Sequence, residues 1–97
     1  MVKIKWSNNA IQDLLDISEY IARDSLKYAK KTTQSIFTSA KILKGNPKSG
    51  RIVPELSNSN IRELVRGNYR IIYLVKTDDS IDILTVHHSA RELHNLD

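Results

Sequence analysis

Five side chains could between them hold a phosphate and move a proton: Arg62, Arg70 and Arg91, with His87 and His88. Cleaving RNA by general acid and base needs a group to activate a 2′-hydroxyl, cations beside the dianionic transition state and an acid for the leaving oxygen. Guanidinium groups supply the charge, and imidazole titrates near neutrality, so either histidine could move the proton. The blander alternative is that Arg70 snorkels at a sheet edge and that both histidines are ordinary polar residues at a strand end. Metal chemistry is not expected, because cysteine is absent and His87, His88 and His94 show no ligand spacing. No glycine-rich phosphate loop or nucleophile elbow is present, so no cofactor is expected either.

The stretch Ile61 to His88 must position these groups. Its β-branched and aromatic runs are separated by Gly67-Asn68 and by Thr77-Asp78-Asp79-Ser80, which predicts a three-stranded antiparallel meander. Alternation along Tyr69 to Val75 puts Arg70 on one face with Ile72 and Leu74, where a guanidinium must reach solvent, a carboxylate or a ligand phosphate. His87 and His88 point to opposite faces, so only one can look toward a given site. In an antiparallel hairpin the start of one strand lies beside the end of its neighbour, which brings Arg70 near the two histidines.

Upstream, Val2, Ile4 and Trp6 alternate with Lys3 and Lys5 as a short half-buried strand. Ser7 or Asn8 can cap a helix from about Asn9 to Arg23 with an apolar stripe of Ile11, Leu14, Leu15, Ser18, Ile21 and Ala22. Asp13 sits early in it, where the dipole favours an acid. Asp13, Asp16, Glu19 and Asp24 lie off the stripe and read as a solvated face. Ser25 caps a second helix running to about Lys44 on Leu26, Ala29, Thr33, Ile36, Ala40 and Leu43, with Gly45 as its C′ residue. The connection from Lys48 to Asn60 contains Arg51 to Leu56 as a short edge segment that covers the core. Arg91 follows the last strand closely, and the tail can add a final turn.

At 97 residues the chain is expected to be one domain, 1–97, with a single modest core. Its formal charge is +4 and its pI about 9.5, which favours an acidic partner but less strongly than in a dedicated DNA-binding domain. No apolar stretch is long enough to span a membrane, and Met1 to Trp6 lacks the apolar core of a signal peptide. A cytoplasmic protein without membrane association is the expectation.

The ordered set Trp6, Ala10-Ile11-Gln12-Asp13-Leu14, Tyr20-Ile21-Ala22, Asn46-Pro47-Lys48-Ser49-Gly50-Arg51, Ile61-Arg62-Glu63-Leu64, Asn68-Tyr69-Arg70-Ile71-Ile72-Tyr73 and Val86-His87-His88-Ser89-Ala90-Arg91 resembles the RelE/ParE superfamily of bacterial toxins from type II toxin-antitoxin modules. The resemblance covers essentially the whole chain. It implies an α+β fold in which an N-terminal strand and a two-helix antiparallel hairpin pack on a three- to four-stranded antiparallel sheet. It also implies a growth-inhibiting toxin neutralised by a cognate antitoxin.

Two activities are known in that superfamily. ParE-like members poison DNA gyrase, whereas RelE-like members cut messenger RNA on the ribosome without a metal. Arg70 matches the segment where RelE-like toxins keep a phosphate-contacting arginine, but Ile61 and Glu63 stand where those toxins have paired lysines. The leading expectation is therefore inhibition of DNA gyrase, with ribosome-dependent mRNA cleavage as the alternative and an inactive or non-enzymatic binding module as the third. If the chain is a nuclease, the resemblance and the residue types make Arg70, His88, Arg62, His87 and Arg91 the catalytic set. Target binding is assigned to Arg62, Arg66, Arg70, His88 and Arg91, with the segment His88 to Leu96 as the gyrase-facing surface.

Overall fold

A computed structural model describes residues 2–77 and 79–88 of the chain. Its elements are β1 (Lys3–Trp6), α1 (Asn8–Ala22), α2 (Leu26–Lys41), a 3-10 turn (Ile42–Lys44), β2 (Arg51–Ile52), β3 (Ile61–Arg66), β4 (Tyr69–Thr77) and β5 (Ser80–His88). They form one mixed sheet in the order β1-β5-β4-β3-β2, with the helical hairpin against one face. The α+β architecture is the expected one. The meander β3-β4-β5 is widened to five strands by β2 at one edge and by β1, which runs parallel to β5, at the other.

Local chemistry explains the element boundaries. Ser7 and Ser25 are extended and accept hydrogen bonds from the Ala10 and Tyr28 N–H groups at 3.0 Å, satisfying donors that a helix start would leave open. Gly67 has φ 56° in the two-residue turn between Arg66 and Tyr69, a conformation costly for residues with a Cβ. In the second hairpin Thr77 pairs with Ser80, and the Asp79 N–H donates to Thr77 Oγ1 at 3.2 Å. Gly45 differs from the expected left-handed C′ residue: its φ is −94°, because the helix tightens into the 3-10 turn before stopping.

Under the helices the core gathers Ala10, Ile36, Leu43, Ile71, Tyr73 and Ile83, each 1% exposed or less. The stripe expected on α1 is rotated. Ala10 is buried and Leu14 and Ile17 pack on the core, whereas Ile11 and Leu15 stay 46% and 58% exposed. Burial of the small Ala10 lets α1 approach β5 closely, and this turns the larger residues outward. On the other sheet face Val53, Ile61 and Ile72 form a second cluster with Leu56, Leu74 and Leu84. Burying Val53 there contributes about 1.5–3 kcal/mol and draws the connection after β2 across the sheet.

A register shift in the β4-β5 ladder pairs Ile72 with Thr85 but Tyr73 with Ile83, leaving Leu84 as the extra residue of a bulge. The Leu84 carbonyl accepts from Ser7 Oγ at 2.9 Å, while the Ser7 N–H donates to the Ile83 carbonyl at 3.0 Å. β1 stops opposite Ile83, so beyond it the edge of β5 needs another partner. Asp13 provides it: its Oδ2 accepts from the Val86 N–H at 2.9 Å and from the Thr85 hydroxyl. The solvated-face reading of Asp13 is corrected by that pairing, and Asp13 also lies beyond the first turn of α1, which holds no acid.

Candidate functional site

Arg70 enters the sheet at the start of β4, on the face away from the helices. Its side chain is only 7% exposed, so its charge must be met by the protein. Glu63 of β3 meets it from beneath: Arg70 Nε donates to Glu63 Oε1 at 2.6 Å, and Nη2 contacts the same carboxylate. Glu55, from the segment between β2 and β3, closes the outer side with Nη1 to Oε2 at 2.9 Å and Nη2 to Oε1 at 3.0 Å. Arg51 of β2 donates through Nε to the second oxygen of Glu63. Two cations and two carboxylates thus alternate across three strands and the β2-β3 connection.

This balance makes burial tolerable. Glu63 has no exposed side-chain surface, and an unpaired carboxylate there would be strongly penalised. The hydrogen bonds from Arg70 hold the Glu55 carboxyl below its ordinary range, against a smaller opposing effect of desolvation. Glu55, in turn, is the main cause that raises Arg70 above the usual arginine value. The guanidinium therefore stays charged, with Nε and both Nη atoms engaged.

The neighbouring arginines are held by different groups. Arg62 Nη1 donates to the Gly50 carbonyl at 2.9 Å, and the Gly50 N–H donates to Tyr73 Oη at 2.9 Å. The backbone passes so close here that a Cβ on Gly50 would lie 2.4 Å from the Glu63 carbonyl oxygen and 2.6 Å from Tyr73 Oη. Burial is also the main cause that pushes the Tyr73 hydroxyl up. Arg66, the last residue of β3 before the hairpin turn, donates through Nε to Ser39 Oγ of α2 at 2.7 Å.

The ladder sets Arg70 opposite His87 and Tyr69 opposite His88. Backbone adjacency does not make a common site, because the Arg70 guanidinium is turned into Glu63 and Glu55. His87 and His88 instead line a cleft of about 930 Å³ between α1 and the β4-β5 end, with Asp16, Glu19, Tyr20 and Tyr69 on its walls. His88 is exposed and meets Tyr69 edge to face at a centroid distance of 5.5 Å. His87 Nε2 is shut off from solvent without a hydrogen-bond partner among the described residues. The Tyr69 hydroxyl is raised mainly by burial, which favours its neutral form. No three His, Asp or Glu side chains cluster as a metal site among the described residues.

The sequence-derived residues are thus distributed over four places: Arg70 on the sheet face away from the helices, Arg62 on the opposite face against Gly50, Arg66 against α2, and the histidines in the α1 cleft. Arg91 and the segment after His88 lie outside the described residues. Sequence reasoning missed Glu63, Glu55 and Asp13 as partners. For Glu63 a signal existed, since an acid inside an alternating strand, across a two-residue turn from an inward arginine, is placed to pair with it. Glu55 lies in an irregular segment whose path no periodicity encodes.

Comparison with known proteins gives concordant results. The family model for the ParE toxin of type II toxin-antitoxin system, parDE, matches residues 4–93. Toxin RelE2 of Caulobacter vibrioides is 30% identical over 91 residues, covering 94% of this chain and 99% of that protein. Among solved structures, the chromosomal ParDE toxin-antitoxin system of P. aeruginosa superposes with a TM-score of 0.74 and 26% identity, over 91% of this chain and 96% of that one. The RelBE2 toxin-antitoxin complex of Mycobacterium tuberculosis superposes with a TM-score of 0.56 over 90% of this chain and 96% of that one; at 19% identity the likeness extends to the fold alone.

Proposed function

The chain belongs to the ParE toxin family of type II toxin-antitoxin systems, and from that premise we propose that it arrests growth by binding and inhibiting DNA gyrase. The observation that carries this choice is the closure of Arg70 by Glu63 and Glu55. A nuclease would need that cation for phosphate, and here its donors already face carboxylates. Arg62 is likewise directed at the Gly50 carbonyl. Inhibition by surface binding asks for neither group.

Ribosome-dependent mRNA cleavage is the second reading, supported by His88 standing exposed beside Tyr69 at the cleft. A cognate antitoxin is the expected protein partner in the cytoplasm, and the exposed Ile11 and Leu15, one turn apart on α1, suit the apolar side of an antitoxin segment. Short induction in cells, with DNA and protein synthesis followed in parallel by pulse labelling, tests the target. Early loss of DNA synthesis with intact messages supports gyrase. Early loss of protein synthesis with messages cut inside codons rejects it in favour of the nuclease.

A further inference from the structure

On the flank away from the histidine cleft, α2 and the end of β3 enclose a groove of about 570 Å³. Lys31, Gln34, Ser35, Thr38 and Ser39 of α2 line it opposite Arg66 of β3, and no carboxylate contributes to the lining. The helical hairpin is divided in charge: α1 contains Asp13, Asp16 and Glu19 without a base, whereas α2 contains Lys27, Lys30, Lys31 and Lys41 without an acid. The groove lies against the positive helix.

Arg66 is held in a particular way. Ser39 is 6% exposed, and its hydroxyl donates to the Ser35 carbonyl at 2.8 Å while accepting from Arg66 Nε at 2.7 Å. Both Nη atoms of Arg66 are without partners among the described residues. A guanidinium anchored at Nε and open at its outer edge presents a fork shaped for an oxyanion. Lys31 adds a second cation, and Lys27, one turn earlier on the same helix face, extends the positive row.

We propose that this groove binds the phosphate backbone of duplex DNA. The donors fit phosphodiester oxygens, and duplex is favoured over single strands because no aromatic side chain lines the groove to stack an exposed base. This reading of the groove assigns Arg66 to DNA and does not depend on gyrase being the target.

Fluorescence anisotropy of a short labelled duplex titrated with the full-length chain, over a series of salt concentrations, tests the site. Binding is expected in the non-specific range, with Kd about 10⁻⁴–10⁻⁶ M, and its logarithm should fall linearly with log salt. Arg66→Ala and Lys31→Ala should each reduce the slope by about one phosphate contact. Ser39→Ala keeps the charge and should weaken binding several-fold by releasing Arg66. Lys5→Ala, on the β1 edge, removes one charge elsewhere and should leave the slope unchanged; thermal melts verify that every variant is folded. The proposal is overturned if the duplex does not bind at low salt, or if Lys5→Ala lowers the slope as much as Lys31→Ala. Single-stranded DNA or RNA binding as tightly as duplex, or inorganic phosphate alone responding to Arg66, overturns the duplex assignment.

Discussion

Arg70 grips Glu55 through two parallel hydrogen bonds of 2.9 and 3.0 Å, joining a buried strand to a segment that crosses the open sheet face. Glu63 occupies the remaining inner edge of the same guanidinium. The arginine that the sequence offers as a phosphate ligand is therefore a rivet between β3, β4 and the β2-β3 connection.

The two carboxylates should differ sharply in their effect on stability. Glu63→Ala leaves Arg70 and Arg51 facing a fully buried gap and should cost about 3–5 kcal/mol. Glu55 is 38% exposed, so Glu55→Ala should cost about 1 kcal/mol or less after solvent screening. Urea midpoints at constant m-value measure both.

Acid should loosen the Glu55 contact. Its folded pKa is depressed from 4.5 by Arg70, so this contribution is complete above the unfolded value and is lost as pH falls through the lower folded value. A pH series of urea midpoints should show a smaller decline below about pH 4.5 in Glu55→Gln than in the parent chain. Equal slopes in the two proteins would contradict the assignment.

Gly50 is fixed by proximity and not by its φ. Gly50→Ala forces a Cβ to within 2.4 Å of a backbone oxygen, and neither β3 nor the Tyr73 ring can retreat without disturbing the core. A loss of several kcal/mol, roughly 3 or more, is expected on thermal or chemical denaturation. Tyr73→Phe, which strands the Gly50 N–H, should cost less, about 1–3 kcal/mol.

Acids of α1 separate in the same way. Asp13→Ala leaves the Val86 N–H without its acceptor and should destabilise by about 1–3 kcal/mol. Asp16 is exposed and accepts from Gln12 one turn away, so Asp16→Ala should change stability by no more than about 0.5 kcal/mol.

His88→Ala divides the two target readings. An exposed residue can be removed without unfolding the chain, so a gyrase inhibitor carrying this change should at most weaken its arrest of DNA synthesis and should leave messages intact, as the parent chain does. If arrest and message cleavage are both abolished while the thermal melt is unchanged, the nuclease reading gains and the gyrase proposal falls.

Much of the fold was legible because its signals are local. Ser7 and Ser25 announce helix starts, Gly67-Asn68 makes a hairpin with almost one solution, and alternation along β4 places Arg70 on one face with Ile72 and Leu74. Two features were hidden for physical reasons. β1 pairs in parallel with the last strand, and nothing in four residues specifies a partner so distant in sequence. The rotated α1 stripe is set by how closely Ala10 can approach β5, a tertiary fact that periodicity does not contain. At the site, the residue types pointed to a catalytic cluster, whereas the carboxylates that claim Arg70 come from a strand acid and an irregular segment.

The parallel pairing of Lys3 with Ser80 also bears on how the protein is made. During translation β1 emerges before β5, its one partner strand among the described residues, so it waits with its edge open while both helices and β2 to β5 are made. The β3-β4-β5 meander can close by short loops as soon as it appears, and β1 is then added across the longest loop in the chain. Of the described strands β1 should be the last to be seated, and any inhibitory surface that depends on the complete sheet is withheld from the nascent chain until β5 has been made.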